Sequence, residues 1–130
     1  MKRLLLIMGD LASGKSTFAK LLSDRYQTVL FCKDPIKETL GNTFGFANRK
    51  ENLRLSYATA ELFYLILGEF AKQNADLILE SNFRIGELET IQKIAMDYGY
   101  KTLTLVLHGD IEVLHKRYLN RMHNENRAPV

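Results

Sequence analysis

Cysteine, strong net charge and long apolar runs are all scarce in this sequence. Cys32 is the single cysteine in 130 residues, so an internal disulfide is impossible and a reducing compartment is expected. The apolar run at residues 4–8 ends at Gly9 and Asp10, which makes it too short for the core of a signal peptide or for a membrane span. We therefore predict a soluble cytoplasmic protein with no membrane partner.

The composition is that of an ordinary globular domain. Hydrophobic residues make up 46% of the chain and charged residues 25%, which excludes a collagen-like or low-complexity protein. The formal net charge is only +3 and the basic residues are scattered, so a nucleic-acid surface is not indicated, although an anionic ligand is compatible. Residues 1–130 are predicted to form one domain that buries roughly two-thirds of its unfolded surface.

Short apolar runs alternate with amphipathic segments along the chain. The runs predict strands at residues 2–8, 28–32, 76–81 and 101–108. The segments predict helices at residues 13–24, 50–74, 87–98 and 110–122, and a short helix with Asp34 as its N-cap and Pro35 as its first residue. Residues 41–48 are predicted to form a loop. This alternation predicts an α/β fold with a parallel sheet covered on both faces.

The spacing of the apolar residues predicts which helix faces are buried. In chain order, the expected buried positions are Phe18, Leu21 and Leu22, then Leu55, Ala58, Leu62, Ile66 and Phe70, and then Leu88, Ile91, Ala95 and Tyr98. Polar residues follow each strand, namely the segment from Gly9 to Ser16, then Asp34, Glu80 and His108. Because ligands bind beyond the carboxyl ends of parallel strands, we expect the site at that edge.

The segment after the first strand matches the phosphate-binding pattern G-x-x-x-x-G-K-[ST]. In this pattern the loop turns its backbone N–H groups toward phosphate oxygens, Lys15 reaches the β- and γ-phosphates, and Ser16 is a ligand of Mg²⁺. The predicted nucleotide-binding residues are Gly9, Asp10, Leu11, Ala12, Ser13, Gly14, Lys15, Ser16 and Thr17. A guanine-reading Asn-Lys-x-Asp motif is missing, the nearest string being Asn48-Arg49-Lys50-Glu51, so a kinase is favoured over a GTPase.

Three further segments carry a resemblance to a known family. After the phosphate loop come FCKDPIKETLG, DLILESNFR and the arginine-rich LHKRYLNRMHNENR. In this order they resemble the small P-loop kinases grouped with polynucleotide kinase, zeta toxin and chloramphenicol phosphotransferase. The resemblance implies a three-layer P-loop NTPase fold with strand order 2-3-1-4. It also implies transfer of the γ-phosphoryl group of Mg·ATP to a hydroxyl of a small molecule, a nucleoside or a nucleic-acid end.

Two features depart from the family pattern. Leu11-Ala12 stands where the family often has Pro-Gly, although a side chain as small as that of Ala12 still lets backbone amides reach phosphate. Relatives continue after the arginine-rich helix into a fifth strand and a helix, which this sequence lacks. Either the chain is a fragment or adenine is held differently. The strand at residues 101–108 is then expected to be an open sheet edge, which predicts either self-association or low stability that a bound nucleotide relieves.

The resemblance assigns residues to the acceptor side of the site. Asp34 takes the place of the carboxylate that accepts the proton of the attacking hydroxyl, although an Asp before Pro is also an ordinary helix cap. Lys37 joins Asp34 in binding substrate, with a solvated surface lysine as the alternative. Asn82 and Arg84 are expected to line the same acceptor pocket.

The resemblance also assigns the groups around the phosphates. Glu80 is expected to hold Mg²⁺ together with Ser16, the alternative being an ordinary polar strand end. Arg117 and Arg121 lie four residues apart on one predicted helix face and are expected to close over the transferring phosphoryl group, with Arg121 also contacting the nucleotide. A solvated basic face is the alternative for both arginines, and Arg127 lies beyond the predicted end of that helix.

Two other activities stay open. A P-loop module that binds a nucleotide without catalysis would share the motif, and a nucleoside monophosphate kinase would transfer to a phosphate and need no base at Asp34. His108, His115 and His123 share no ligand spacing, so a transition-metal site is not expected. The predicted cofactors are ATP and Mg²⁺.

Overall fold

Strands and helices alternate along the chain in the order that the sequence predicts. The computed structural model describes residues 2–10, 14–45 and 47–108. In chain order the elements are β1 (Arg3–Gly9), α1 (Lys15–Tyr26), β2 (Leu30–Cys32), α2 (Lys33–Phe44), α3 (Arg49–Lys72), β3 (Leu77–Glu80), α4 (Ile85–Asp97) and β4 (Lys101–Leu107). The helix predicted at residues 110–122 lies outside the described residues.

The four described strands form one parallel sheet in the order β2-β3-β1-β4. Glu80 at the end of β3 lies opposite Ile7 of β1 and Cys32 of β2, and Gly9 at the end of β1 lies opposite Leu107 of β4. This register brings the carboxyl ends of all four strands to one edge of the sheet. The predicted α/β class and the predicted order 2-3-1-4 are both confirmed.

Helices cover both faces of the sheet. On one face, α3 and α4 pack on the alternate residues Leu4 and Leu6 of β1, in a cluster that includes Phe63, Leu67, Leu77, Leu79, Ile91 and Ala95. On the other face, Ala19 of α1 packs with Ile7 and Ile78. Every residue of β3 is buried, which explains why this strand is a continuous apolar run rather than an alternating one.

The start of α2 differs from the prediction. Cys32 occupies the N-cap position without a side-chain cap, and Asp34 lies inside the first helical turn, so the predicted cap at Asp34 is wrong. The reason is that β2 ends at Cys32 and α2 begins at the next residue, which leaves no linker. Pro35 is tolerated there because N–H groups of the first turn have no acceptor within the helix.

The end of α2 also differs from the prediction. The helix continues through the buried Gly41 to Phe44, so the loop predicted at residues 41–48 is shorter than expected. Gly45 ends the helix with a φ of 74° and donates its backbone N–H to the carbonyl of Gly41 at 2.7 Å. A left-handed residue at this point is easily supplied by glycine, which has no Cβ.

The buried face of α3 is rotated by about one residue from the prediction. Its buried positions are Ser56, Thr59, Ala60, Phe63, Leu67 and Ala71, whereas Ala58 is exposed and Leu55, Leu62, Ile66 and Phe70 are half-buried. The hydropathy pattern misplaced the buried face of α3 because two polar residues, Ser56 and Thr59, belong to it. The hydroxyl of Thr59 donates to the carbonyl of Leu55 at 2.8 Å, so it is satisfied within the helix and can be buried.

Two other helix positions were also mispredicted as buried. Leu21 in α1 is 61% exposed, while its neighbours Phe18 and Leu22 pack against the sheet. Tyr98 is 43% exposed because α4 ends one residue before it, and Gly99 follows with a φ of 81° as the predicted stop. No helix in the described ranges is long and apolar enough to cross a membrane.

Candidate active site

The phosphate loop begins at Gly9, where β1 lies close to the end of β4. A Cβ on Gly9 would lie 2.3 Å from the carbonyl oxygen of Leu107, a separation that no side chain could tolerate. The next residue, Asp10, donates its backbone N–H to the same carbonyl at 3.2 Å. Glycine is therefore required at position 9 by the backbone of the neighbouring strand. The predicted contacts at Leu11, Ala12 and Ser13 lie outside the described residues.

The loop ends at the start of α1. Gly14 is the N-cap with a φ of 87°, and its carbonyl accepts the N–H of Phe18 at 2.9 Å. This left-handed conformation costs glycine little, which is a reason for the second glycine of the motif. The first N–H groups of a helix have no partner within it and carry its positive dipole end, so Lys15, Ser16 and Thr17 begin α1 at a site suited to an anion.

Lys15 and Glu80 form the buried centre of the site. Lys15 is 7% exposed and Glu80 is 1% exposed. Burial raises the pKa of Glu80, while the charge of Lys15 and hydrogen bonds from the Cys32 thiol and the Ser16 hydroxyl act to lower it. The carboxylate of Asp34 adds to the rise. The predicted phosphate-binding lysine, the predicted Mg²⁺ ligands and the predicted base therefore lie close together.

Cys32 is a member of this centre that sequence reasoning did not assign. Burial raises the pKa of its thiol to about 12, with the carboxylates of Glu80 and Asp34 adding to the rise and Lys20 opposing it. The thiol is thus protonated near neutral pH. The sequence offered one indication of this role, which is the position of Cys32 at the end of a predicted strand. In the structure this strand is the neighbour of the strand that ends at Glu80.

Asp34 and Lys37 lie next to one another in the first turns of α2. Both side chains are half-buried. The pKa of Lys37 is lowered, first by burial and then by the charges of Lys33 and Arg84, while Asp34 opposes this change. The structure therefore brings the predicted substrate-binding residues Asp34, Lys37 and Arg84 together. Asn82, the fourth of them, is exposed two residues beyond the end of β3.

Arg84 lies between α3 and α4. Its guanidinium carbon is 4.7 Å from the centre of the Tyr57 ring, a cation–π distance. One of its terminal nitrogens, Nη1, is 3.7 Å from Oε1 of Glu87, and both atoms are buried without a hydrogen-bond partner among the described residues. Sequence reasoning missed Tyr57 and Glu87. Glu87 follows Arg84 at helical spacing, but Tyr57 is distant in sequence and carries no motif.

The remaining predicted residues fall into two groups. Arg117 and Arg121 lie outside the described residues, so their predicted closure over the phosphates stays a prediction. His108 lies beside Asp10, with Nδ1 3.6 Å from Oδ2, and both side chains are largely exposed. Within the described ranges, His, Cys, Asp and Glu side chains form no group of three or more that could hold a metal ion.

Comparison with known proteins places the chain among kinase-like folds. No family model matches it. A UPF0200 protein of Saccharolobus solfataricus is 26% identical over 136 residues, which span 98% of this chain and 69% of that protein. A crystallised candidate kinase of Chloroflexus aurantiacus is 25% identical, with a TM-score of 0.86 over 98% of this chain and 71% of that one. The chain has the fold of the P-loop kinases.

A more distant similarity fits the same fold. A gluconokinase of Sinorhizobium meliloti superposes with a TM-score of 0.63 at 14% identity, over 96% of this chain and 66% of that one. The kinases among these matches support a phosphotransferase in general terms. The resemblance noted in the sequence is thereby confirmed, and the identity of the acceptor stays open.

Proposed function

We propose that this protein transfers the γ-phosphoryl group of Mg·ATP to a hydroxyl group of an acceptor. The observation that carries the proposal is the meeting of Lys15, Glu80 and Asp34 at the carboxyl edge of the sheet. Each belongs to a different segment of the chain, and each supplies a different requirement of phosphoryl transfer. Lys15 supplies positive charge for the phosphates, Glu80 an oxygen ligand for a cation, and Asp34 a proton acceptor.

The nucleotide would bind across the start of α1. Lys15 directs its ammonium toward the β- and γ-phosphates, while the backbone from Gly9 to Thr17 supplies N–H donors. In the nucleotide-free protein the charge of Lys15 favours the ionised form of Glu80, against the effect of burial. Phosphate oxygens would become a second set of partners for that ammonium.

Ser16 and Glu80 suit Mg²⁺ because they offer a hydroxyl and a carboxylate, the hard oxygen donors that this ion prefers. When bound, Mg²⁺ neutralises charge on the phosphate oxygens during transfer. Glu80 must be ionised for this role, and its burial raises its pKa in the absence of the ion. The Cys32 thiol and the Ser16 hydroxyl favour the charged form of this carboxylate.

Asp34 would act on the acceptor. Its carboxylate takes the proton of the acceptor hydroxyl, the acceptor oxygen bonds to the γ-phosphorus, and the bond to the bridging oxygen of ADP breaks. Lys37, Asn82 and Arg84 would bind the acceptor beside it. Arg117 and Arg121 would stabilise the charge that develops on the transferring group, with Arg121 also contacting the nucleotide.

The chemical class of the product tests this proposal. The protein is incubated with Mg·ATP and a panel of alcohol and nucleotide acceptors, and the products are identified by ³¹P NMR. A phosphate monoester is the expected product. A phosphoanhydride would instead identify a nucleoside monophosphate kinase. Failure to form ADP in the presence of tight nucleotide binding would identify a binding module.

A matched pair of variants shows whether Asp34 has the assigned role. Asp34→Asn keeps the shape of the side chain but removes its ability to accept a proton. Asp24→Asn makes the same chemical change on an exposed residue of α1, far from the strand ends. We expect monoester formation to fall only in Asp34→Asn. Equal rates in the two variants would remove Asp34 from the mechanism.

A further inference from the structure

Arg84 carries hydrogen-bonding capacity that the described residues do not use. Its Nη1 is buried and has no hydrogen-bond partner, and the nearest carboxylate oxygen, Oε1 of Glu87, is 3.7 Å away. That separation allows charge attraction but exceeds the range of a hydrogen bond. A buried guanidinium N–H without an acceptor is costly, and the Arg84 side chain is 39% exposed, so the group can turn toward a ligand that supplies an acceptor.

Lys37 interacts with two cations and one carboxylate. Lys33 and Lys37 lie four residues apart, on the same face of α2, and the charges of Lys33 and Arg84 both act on Lys37. Asp34 is the carboxylate that opposes them at Lys37, and Glu87 is the carboxylate paired with Arg84. Asp34 is the residue to which we assign proton transfer, so its carboxylate is not available for a permanent ion pair with one of these cations.

The sheet register explains why these groups meet. Cys32 and Glu80 pair at the ends of β2 and β3, so the first turns of α2 and the segment from Ser81 to Arg84 leave the same sheet edge side by side. The Tyr57 ring, on α3, lies against the guanidinium of Arg84 and limits the directions in which this planar group can turn. Arg84 is thus held near Asp34, and the described residues leave part of its hydrogen-bonding capacity unused.

We propose that the acceptor is an anion as well as an alcohol, and that Arg84 and Lys37 bind its phosphoryl or carboxylate group while its hydroxyl faces Asp34. This inference rests on the function proposed above and narrows its substrate class. Tyr57 orients the guanidinium. Glu87 is a positioning residue that holds Arg84 loosely in the absence of acceptor and competes with the acceptor for it.

The roles of Arg84 and Glu87 can be separated because they predict opposite effects on anion binding. Inorganic phosphate and malonate serve as probes, titrated by calorimetry into protein saturated with Mg²⁺ and a non-hydrolysable ATP analogue, so that the phosphate loop is already filled. We expect Arg84→Gln to weaken probe binding by about tenfold or more, since it removes a charge-assisted contact. Lys37→Gln should weaken it in the same direction.

Glu87→Gln should strengthen probe binding several-fold, because the competing negative charge is lost. The control is Arg25→Gln, which removes another arginine placed against a tyrosine ring, that of Tyr26, on the exposed surface of α1. It should leave probe affinity unchanged. Binding of phosphate alone would indicate a phosphorylated alcohol as acceptor, and binding of malonate a carboxylated one.

Two results would overturn the inference. The first is probe binding that is absent, or present but insensitive to Arg84→Gln. The second is an equal loss of thermal stability in Arg84→Gln and Glu87→Gln without a change in probe affinity, which would identify an ion pair of structural value only. If the ATP analogue itself fails to bind, the proposed function fails. The same titrations on nucleotide-free Lys15→Ala protein then decide the inference alone.

Discussion

The thiol of Cys32 and the carboxylate of Glu80 lie at the ends of neighbouring strands, paired in register. Each group changes the pKa of the other. The negative charge of Glu80 contributes to the raised pKa of the thiol, and the thiol acts to lower the pKa of the carboxyl group. Glu80 is 1% exposed, and the Cys32 thiol and the Ser16 hydroxyl oppose the effect of this burial on its pKa.

Glu80→Gln should stabilise the nucleotide-free protein near neutral pH. Because the folded-state pKa of Glu80 is raised by burial, its contribution to stability is fully present below the unfolded value of 4.5 and is lost as pH rises through the folded value. Glutamine carries no charge to bury, so we expect Tm to rise by roughly 3–5 °C at pH 7.5, the shift that about 1 kcal/mol produces in a domain of this size.

Thermal unfolding followed by circular dichroism at pH 7.5 and pH 4 measures this effect. The gain should shrink at pH 4, where Glu80 of the wild type is protonated in the folded state. The same variant should lose phosphoryl transfer, because an amide is a poor substitute for a Mg²⁺-binding carboxylate. A variant that is less stable than the wild type at both pH values would contradict the account of Glu80 as a buried, costly charge.

Cys32 should be unreactive toward alkylating agents in the folded protein. With a thiol pKa of about 12, the thiolate is rarer at pH 8 than in an ordinary cysteine by roughly three orders of magnitude, and the thiolate is the nucleophile. Iodoacetamide labelling followed by mass spectrometry should be slow in buffer and fast in urea. The same shift predicts that stability falls as pH rises from about 9, the unfolded value, toward 12. Equal labelling rates with and without urea would refute the assignment.

Local pattern was sufficient for the strands and for the phosphate loop. Four apolar runs gave the four described strands within about two residues, and the glycines at positions 9 and 14 occupy the two points where the backbone requires them. The prediction failed where contact between distant segments decides the outcome. The buried face of α3 includes Ser56 and Thr59, whose burial depends on hydrogen bonding and packing that hydropathy does not encode.

The candidate site shows the same division between local and distant information. The sequence could predict a place in the site for residues that stand at a fixed offset from a strand end, namely Lys15, Ser16, Asp34 and Glu80. Tyr57 could not be assigned, because its contact with Arg84 depends on how α3 lies against α4. The cap predicted at Asp34 was wrong for a related reason. The length of the junction between β2 and α2 is set by the sheet, and the dipeptide Asp-Pro alone does not reveal it.

Lys15→Ala should weaken binding of Mg·ATP by about ten- to a hundredfold. Loss of one charge-assisted contact is worth about 1.5–3 kcal/mol, which corresponds to this range. Calorimetry with a non-hydrolysable analogue measures the affinity. Lys93→Ala is the control, since Lys93 is an exposed lysine of α4. Unchanged affinity in a folded Lys15→Ala protein would rule out the phosphate loop as the nucleotide site.

The edge strand β4 should promote self-association. It pairs with β1 on one side and is the last strand of the described sheet, and Leu103 is 59% exposed. An unpaired strand edge with exposed apolar side chains offers a template for a second chain. Sedimentation equilibrium should therefore detect dimers at high concentration, and Leu103→Lys should shift them to monomers. A monomeric wild type whose Tm is also indifferent to ATP would contradict the expectation that the sheet needs a partner or a ligand.

Asp34→Asn and Arg121→Ala should each lower kcat by about a hundredfold or more while leaving nucleotide affinity nearly intact. Asp34 lies in the first turn of α2, beyond β2, whereas the phosphate loop follows β1, with β3 between these strands. This separation is the reason to expect that Asp34 does not contact adenine. Arg121 lies outside the described residues. Its proposed role is to stabilise the negative charge that develops as the phosphoryl group separates from ADP. A hundredfold loss corresponds to about 2.7 kcal/mol of transition-state stabilisation.

The double variant tests whether the two residues serve one transition state. If they do, the combined loss in kcat should be smaller than the product of the single losses, because either change alone already disables the shared step. Steady-state kinetics at saturating ATP gives kcat, and calorimetry with a non-hydrolysable ATP analogue gives affinity, for all four proteins. If Asp34→Asn keeps full kcat on the true acceptor, Asp34 has no catalytic role and is only a residue of the first turn of α2. Strictly multiplicative losses would instead show that Asp34 and Arg121 contribute independently, which would contradict the expected coupling.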